Sequence, residues 1–315
     1  MRILRILAVF ALLPVVVPCT AVAGTLSFDL ETSFGGFGIG REVFDRPVDV
    51  VQDRDENFYV LDQRNNRVQV LDRRGNFVRE WGRSGFRPGE FDTPTAIVME
   101  KGTENLFVVD RLNNRVQKFD KKGKFLMSFG QLGSTNGQFN LPVDLTLDKS
   151  GNIYVADTGN NRVQKFDPSG KFILEWGRFA RKGRGVELNV PISVAYSEEG
   201  FGYIYVLNAQ ECRVLKYELD GTLAAEWPMH RKGEGALCGP SRIRIESRKY
   251  TVYIADTEND RLILFDRFGE PLGDLKGGKA PFRKPGGVFI SELYGEEVTV
   301  ADTGNNLIQK FRRSR

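Results

Sequence analysis

The feature that most constrains this chain is a segment of about 14 residues that recurs six times. FVVDRLNNRVQKFD (107–120) and YVADTGNNRVQKFD (154–167) are near copies, and YIADTENDRLILFD (253–266) is a more diverged one. The position that ends the first apolar run of each copy recurs every 46 to 51 residues, at Asp62, Asp110, Asp157, Asn208, Asp256 and Asp302. A fixed period of this length predicts units that each pack only on their neighbours.

Each unit has the pattern of four short strands. In one copy these are PVDLTLD (142–148), NIYVAD (152–157), RVQKFD (162–167) and KFILEW (171–176). They are rich in β-branched and aromatic residues, and Gly, Asn and Pro lie at the breaks. No segment keeps a helical period, so the fold class is all-β. Four strands per unit and six units predict a six-bladed β-propeller of four-stranded antiparallel blades.

The two ends of the repeat region complement each other. The last unit supplies three strands and then the chain stops, whereas LETSFGG (30–36) aligns with the fourth strands FVREWGR (77–83) and FLMSFGQ (125–131). Residues 28–34 are therefore predicted to complete the last blade beside residues 306–312. This pairing would close the ring and remove two open sheet edges.

The first 23 residues have the pattern of an export signal. Arg2 and Arg5 precede an apolar run, and Ala21-Val22-Ala23 follows it. This is typical of a secretory signal peptide at 1–23 cleaved after Ala23, although Cys19 leaves a lipoprotein anchor as an alternative. The mature chain, 24–315, is predicted to be one propeller domain, secreted or periplasmic. It has no further stretch of about 20 apolar residues that would span a membrane.

The D-x-x-N-N-R-V-Q segments, with the approach GSTNGQFNLP (133–142), resemble the NHL-repeat propellers. The resemblance covers about residues 28–313 and implies the fold. It implies no single function, because the family includes RNA-binding modules, protein-interaction domains and a zinc-dependent amidating lyase. That lyase chemistry needs several His ligands, and this sequence has only His230.

The Asp and Arg of the repeated segment are interpreted as structural. Near-identical recurrence in successive blades fits a turn held by side-chain to backbone hydrogen bonds better than one asymmetric site. The alternative is a functional polar ring. The pairs concerned are Asp62 and Arg67, Asp110 and Arg115, and Asp157 and Arg162.

One face of the ring is predicted to be basic. The formal charge is only +4, and removal of residues 1–23 leaves +2. The segments that join the fourth strand of each unit to the next unit nevertheless contain 14 Lys and Arg against 6 Asp and Glu; they are 40–46, 83–93, 130–141, 177–190, 228–239 and 276–284. Two groups are densest, Arg178, Arg181, Lys182 and Arg184, and Lys276, Lys279, Arg283 and Lys284. Such a face would attract a protein or an anionic, glycan-like ligand; the alternative is ordinary solvated loops.

A second set of candidates comes from the inner strands. The positions two after the strand-opening Pro are predicted to point toward the mouth of the central channel; they are Asp49, Ala96, Asp144, Ser193, Arg242 and Gly287. Asp49 and Asp144 are carboxylates that could help to hold calcium, and Arg242 lies among them. A metal-dependent hydrolase or lyase at the channel mouth is therefore the alternative function.

The preferred function is a non-catalytic binding scaffold that acts through its loop face. No cofactor, bound metal or catalytic residue is predicted, and export argues against a nucleic-acid partner. Cys212 and Cys238 are the two cysteines of the mature chain. They lie in segments expected on one face of the ring, which makes them candidates for a disulfide; two free thiols are the alternative.

Overall fold

The repeats form four-stranded antiparallel sheets because their apolar strands are short and broken by tight turns. The computed structural model describes residues 26–177, 187–229, 239–278, 281–291 and 297–314. A first strand, β1 (Phe28–Gly35), precedes the first complete blade.

Five blades are built from consecutive strands. Blade 1 contains β2 (Pro47–Gln52), β3 (Phe58–Asp62), β4 (Arg67–Leu71) and β5 (Phe77–Trp81), and blade 2 contains β6 (Pro94–Met99), β7 (Leu106–Asp110), β8 (Arg115–Phe119) and β9 (Phe125–Phe129). Blade 3 contains β10 (Asp144–Leu147), β11 (Ile153–Asp157), β12 (Arg162–Phe166) and β13 (Phe172–Trp176). Blade 4 contains β14 (Pro191–Ser197), β15 (Tyr203–Asn208), β16 (Arg213–Glu218) and β17 (Leu223–Pro228), and blade 5 contains β18 (Pro240–Ile245), β19 (Val252–Asp256), β20 (Arg261–Phe265) and β21 (Pro271–Leu275).

The sixth blade joins the two ends of the chain. It contains β22 (Val288–Ile290), β23 (Glu297–Asp302) and β24 (Leu307–Arg313), and β1 pairs antiparallel with β24 as the outermost strand. The register places Phe28 opposite Arg313 and Phe34 opposite Ile308. The predicted all-β, six-bladed propeller, closed by the N-terminal strand, is therefore confirmed.

The core lies between the blades. The second and third strands of blade 1 are buried along their whole length, whereas the outermost strands β5 and β9 alternate between half-buried and exposed side chains. One apolar cluster joins Tyr59 and Val68 of blade 1 to Ile97 and Val108 of blade 2. Each blade thus buries its faces against its neighbours and leaves its outer edge to solvent.

The repeated Asp, Asn and Arg hold the loops of the ring in place. In blade 3, Arg162 Nε donates to Asp157 at 2.7 Å, and Arg162 Nη2 donates to the carbonyls of Thr135 and Gln138. The other Asp157 oxygen accepts the Asn140 amide at 2.7 Å. Both Asp157 and Arg162 are fully buried. This arrangement supports the structural interpretation of the repeated segment.

These contacts define two faces. The links between blades and the turns between second and third strands lie on one side, which we call the loop face. Arg67, the first residue after such a turn, donates to the carbonyl of Gly40 in such a link at 2.7 Å. The opposite face carries the turns between first and second strands and between third and fourth strands. The described residues include no helix long and apolar enough to cross a membrane.

Cys212 follows a short 3-10 helix in the turn before β16 and has a left-handed φ of 52°. It is disulfide-bonded. Cys238 lies outside the described residues, so its pairing with Cys212 stays a prediction.

Candidate functional site

Four charged side chains meet at the centre of the ring. Asp49 comes from β2, Asp144 from β10, and Arg242 and Arg244 from β18. Arg242 Nη1 lies 2.5 Å from Asp144 Oδ1 and its Nη2 lies 3.4 Å from Asp49 Oδ2. Arg244 Nη1 lies 3.1 Å from Asp144 Oδ2, and its Nη2 lies 3.4 Å from Asp49 Oδ2. We call this group the ion quartet.

Backbone and side-chain donors complete the ion quartet. Asp49 accepts the amide of Ile97 at 3.1 Å, and Asp144 accepts the Ser193 hydroxyl and the Val194 amide. Arg242 Nη2 donates to the carbonyl of Thr95 at 2.7 Å. The quartet therefore ties strands of blades 1 to 5 together across the axis of the ring.

Burial and ion pairing act against each other on the two carboxyl groups. Both aspartates are fully buried. Burial raises the pKa of Asp49, and the pull of Arg242 and Arg244 does not reverse it. Burial also acts to raise the pKa of Asp144, but the same two guanidinium groups and the Ser193 hydroxyl outweigh it and leave the pKa below its usual value. The stronger partner of the arginines is therefore Asp144.

The channel positions predicted from the sequence lie inside the ring, not at an open mouth. Asp49, Ala96, Asp144 and Ser193 have no exposed surface, and Arg242 is 4% exposed. Gly287 packs against Asp49 so closely that an added Cβ would lie 2.4 Å from the Asp49 Cα. The sequence interpretation missed Arg244. The sequence did contain a signal for Arg244. It lies two positions after Arg242, and residues i and i+2 of a strand point to the same face.

The quartet does not have the character of a metal site. Each carboxylate is already neutralised by two guanidinium groups, and a cation there would have to displace them. Among the described residues no group of three or more His, Cys, Asp or Glu is placed to hold a metal ion. The quartet instead closes the channel.

The closure leaves a cavity on each side of it. The cavity at the loop face has a volume of about 550 Å³ and includes Arg242 in its lining; we call it the loop-face vestibule. Its other lining includes the polar side chains of Thr95, Ser241, Thr257 and Thr303. The cavity on the other side has a volume of about 560 Å³ and includes Arg244; we call it the opposite vestibule.

The basic residues predicted on the loop face are only partly within the described chain. Lys276, Arg283 and Lys284 are exposed, and Lys284 also lines the loop-face vestibule. The Lys284 Nζ lies 4.0 Å from the Glu258 carboxylate, with both side chains more than half exposed. Arg178, Arg181, Lys182, Arg184 and Lys279 lie outside the described residues. Their contribution to a basic face stays a prediction.

The loop face also carries exposed apolar side chains that the sequence interpretation missed. Phe37 is 74% exposed, Ile39 81%, Phe86 76% and Leu132 68%. We call these four the apolar arc, since they lie on the three successive links that lead into blades 1, 2 and 3. Isolated bridges pair Phe37 with Phe44 and Leu132 with Phe139, so the two links have the same local structure. The signal available was an apolar residue within each Gly-rich link.

Comparisons with known proteins agree with this architecture. A family model described as NHL repeat matches residues 139–166, and one described as a 6-bladed beta-propeller matches residues 46–127. No curated protein matches the chain significantly.

Among solved structures the chain is similar to virginiamycin B lyases. A selenomethionine form from Staphylococcus aureus has a TM-score of 0.62 and 12% identity, over 91% of this chain and 99% of that one. A catalytically inactive form from the same organism with quinupristin has a TM-score of 0.58 and 12% identity, over 87% and 81%. A structure entitled streptogramin B lyase has a TM-score of 0.58 and 12% identity, over 84% and 78%. At this identity the likeness shows the fold alone.

Proposed function

We propose that this chain, a six-bladed β-propeller built from NHL repeats, is an exported, non-catalytic binding module that captures a protein partner through its loop face. The observation that carries the proposal is the apolar arc, in which Phe37, Ile39, Phe86 and Leu132 are each more than two-thirds exposed. Large exposed apolar and aromatic side chains grouped on one surface are typical of interaction sites.

The charge of the same face favours an acidic partner. Arg283 and Lys284 are exposed beside the loop-face vestibule, and the sequence predicts a further cluster on that face at Arg181, Lys182 and Arg184. Cations around an apolar surface increase the rate of encounter with an acidic protein. The partner is therefore expected to present apolar side chains within an acidic surface.

The ion quartet favours binding over hydrolysis. A calcium-dependent site would need the carboxylates of Asp49 and Asp144. Both already form ion pairs with Arg242 and Arg244. We expect calorimetric titration with calcium to give no heat of binding. We also expect quinupristin, the ligand named for one lyase of this fold, to stay unchanged in mass after incubation with the protein. Conversion of quinupristin, or stoichiometric calcium binding, would contradict a binding-only role.

The direct test is affinity capture from the native compartment, followed by mass spectrometry. The wild type is compared with a variant that carries Phe37→Ser, Phe86→Ser and Leu132→Ser. The matched control carries Phe201→Ser and Phe268→Ser, which remove aromatic side chains 102% and 70% exposed on turns of the opposite face. Proteins retained by the wild type and the control but lost by the triple variant are the expected partners.

A second arm tests the charges. Reversal to Glu at Arg181, Lys182 and Arg184 should reduce capture of those partners, with a stronger effect at low salt because exposed charges are screened. If the same proteins are captured by the triple variant and by the charge-reversed variant as well as by the wild type, the loop face is not the binding surface.

A further inference from the structure

The opposite vestibule is a blind cavity that the proposed loop-face function does not use. The ion quartet separates it from the loop face, since Arg242 lines one cavity and Arg244 the other. Its volume of about 560 Å³ lies within the range of small-molecule sites, about 300–1,000 Å³.

Most of the exposed wall area of the opposite vestibule is apolar, and polar side chains such as Thr146, Ser197 and Ser247 line the rest. Each of the six inner strands contributes near its end on this face, through Val51, Met99, Leu147, Tyr196, Ile245 and Phe289. All except Val51 are only half-buried, so part of each side chain is left facing the cavity. An apolar wall in a cavity open to water is favourable once an apolar ligand covers it.

The floor of this cavity offers no unsatisfied charge. Arg244 Nη1 donates to Asp144 and to the carbonyl of Ile243 at 2.8 Å, and its Nη2 faces Asp49. Two carboxylates and two guanidinium groups balance in the quartet. An anionic ligand would have to break these pairs, whereas an uncharged ligand would not.

The carboxylates around the mouth are also satisfied locally. Glu100 pairs with Lys118 at 3.2 Å. Asp148 accepts hydrogen bonds from the Asn152 side chain at 2.8 Å and from the Tyr154 hydroxyl at 3.0 Å. These two carboxylates therefore give no strong attraction to a cationic ligand.

One ion pair crosses this mouth. Lys101, in a turn of blade 2, pairs with Glu198, in a turn of blade 4, at 2.6 Å, so the contact passes over blade 3. Their side chains are 59% and 38% exposed. An exposed pair of this kind contributes little to stability, so its removal should leave the fold intact.

We propose that the opposite vestibule is a second binding site, for an uncharged and predominantly apolar small molecule, and that the Lys101–Glu198 pair restricts its entry. The apolar walls supply the binding energy, the balanced quartet selects against charge, and the pair at the mouth slows exchange. This site is independent of the partner proposed for the loop face.

The test uses Nile red, an uncharged dye whose fluorescence rises in apolar surroundings, and the full mature chain. Saturable binding of one dye per chain is expected. Phe289→Asp, which places a carboxylate in the wall, should weaken dye binding at least tenfold. Phe37→Asp makes the same type of change on the loop face and should leave the affinity within twofold. Thermal unfolding of each variant reports whether the fold is retained.

Lys101→Ala provides a second measurement that does not disturb the walls. Loss of the pair should increase both the association and the dissociation rate of the dye several-fold. The proposal is overturned if the wild type shows no saturable binding, if Phe37→Asp rather than Phe289→Asp removes it, or if Lys101→Ala leaves both rates unchanged. If Phe289→Asp fails to fold, the rates measured with Lys101→Ala decide.

Discussion

The ion quartet allows a sharp comparison between two chemically identical substitutions. Asp49→Asn and Asp144→Asn each remove one negative charge and keep the size of a fully buried side chain. Asp144 lies 2.5 and 3.1 Å from its two arginines, whereas Asp49 lies 3.4 Å from both. Asp144→Asn is therefore expected to destabilise the protein more.

The difference can be estimated from these distances. At an effective dielectric constant of about 20, the attraction to both guanidinium groups is stronger at Asp144 than at Asp49 by about 2 kcal/mol. Removal of one partner from a buried pair typically costs about 3–5 kcal/mol. We therefore expect a loss of roughly 4 kcal/mol for Asp144→Asn and a loss smaller by at least about 2 kcal/mol for Asp49→Asn, where burial outweighs the pull of the arginines.

The two variants should also differ in their pH dependence. The pKa of Asp144 lies below its usual 3.8, so Asp144 contributes stability that is present above that value and lost as pH falls through the lower, folded-state pKa. The pKa of Asp49 is raised, so stability falls as pH rises from 3.8 through the folded-state pKa. With rising pH the cost of Asp144→Asn should grow and that of Asp49→Asn should shrink.

Urea unfolding followed by circular dichroism and tryptophan fluorescence measures both effects. A difference of about 2 kcal/mol separates the two midpoints by roughly 0.7 M at a slope of about 3 kcal/mol per molar. Coincident transitions by the two probes are needed for this comparison. Equal midpoints for the two variants, or a lower midpoint for Asp49→Asn, would refute the assignment of Asp144 as the stronger partner.

Three further predictions concern the scaffold. Arg162→Ala removes the Arg162 donor from buried Asp157 and from two carbonyls, and should cost about 3 kcal/mol in urea unfolding. Arg213→Ala, at an exposed pair with Glu226, should cost under about 1 kcal/mol, and equal costs would contradict the structural role. A chain that begins at residue 36 lacks β1 and should melt at a lower temperature and aggregate, as light scattering would show, because β24 loses one of its two neighbouring strands and becomes an open sheet edge. Cys212→Ser should lower stability by about 3 kcal/mol, and peptide mapping without reduction should find Cys212 joined to Cys238.

The fold could be predicted because it is encoded locally and repeatedly. The spacing of the repeated segment from Asp62 to Asp302 gives six units, and the alternation of β-branched residues with Gly and Asn turns gives four strands in each. The closing strand was predictable as well, because the sequence of residues 28–34 has the pattern of a fourth strand. These inferences depend only on residues that are close together in the sequence and on the length of the repeat.

The site was predicted only in part. The position of Asp49, Asp144 and Arg242 on inner strands followed from the repeat, but their contacts join blades up to 195 residues apart in the chain, as the Arg244–Asp49 hydrogen bond shows. Nothing in the local sequence indicates that these charges neutralise one another. The apolar arc was missed for a related reason, because the exposure of Phe37 or Leu132 depends on how the links pack.

The sequence by itself determined the ring, the number of blades and the strand that closes it, because strand pairing and turn geometry are set by residues close together in the chain. Only the tertiary structure decided that the central channel is closed by two aspartates and two arginines and so becomes two separate cavities. The reason is physical. The charge state and the accessibility of a buried side chain depend on partners that folding brings within a few ångströms, and the order of residues along the chain does not reveal those partners.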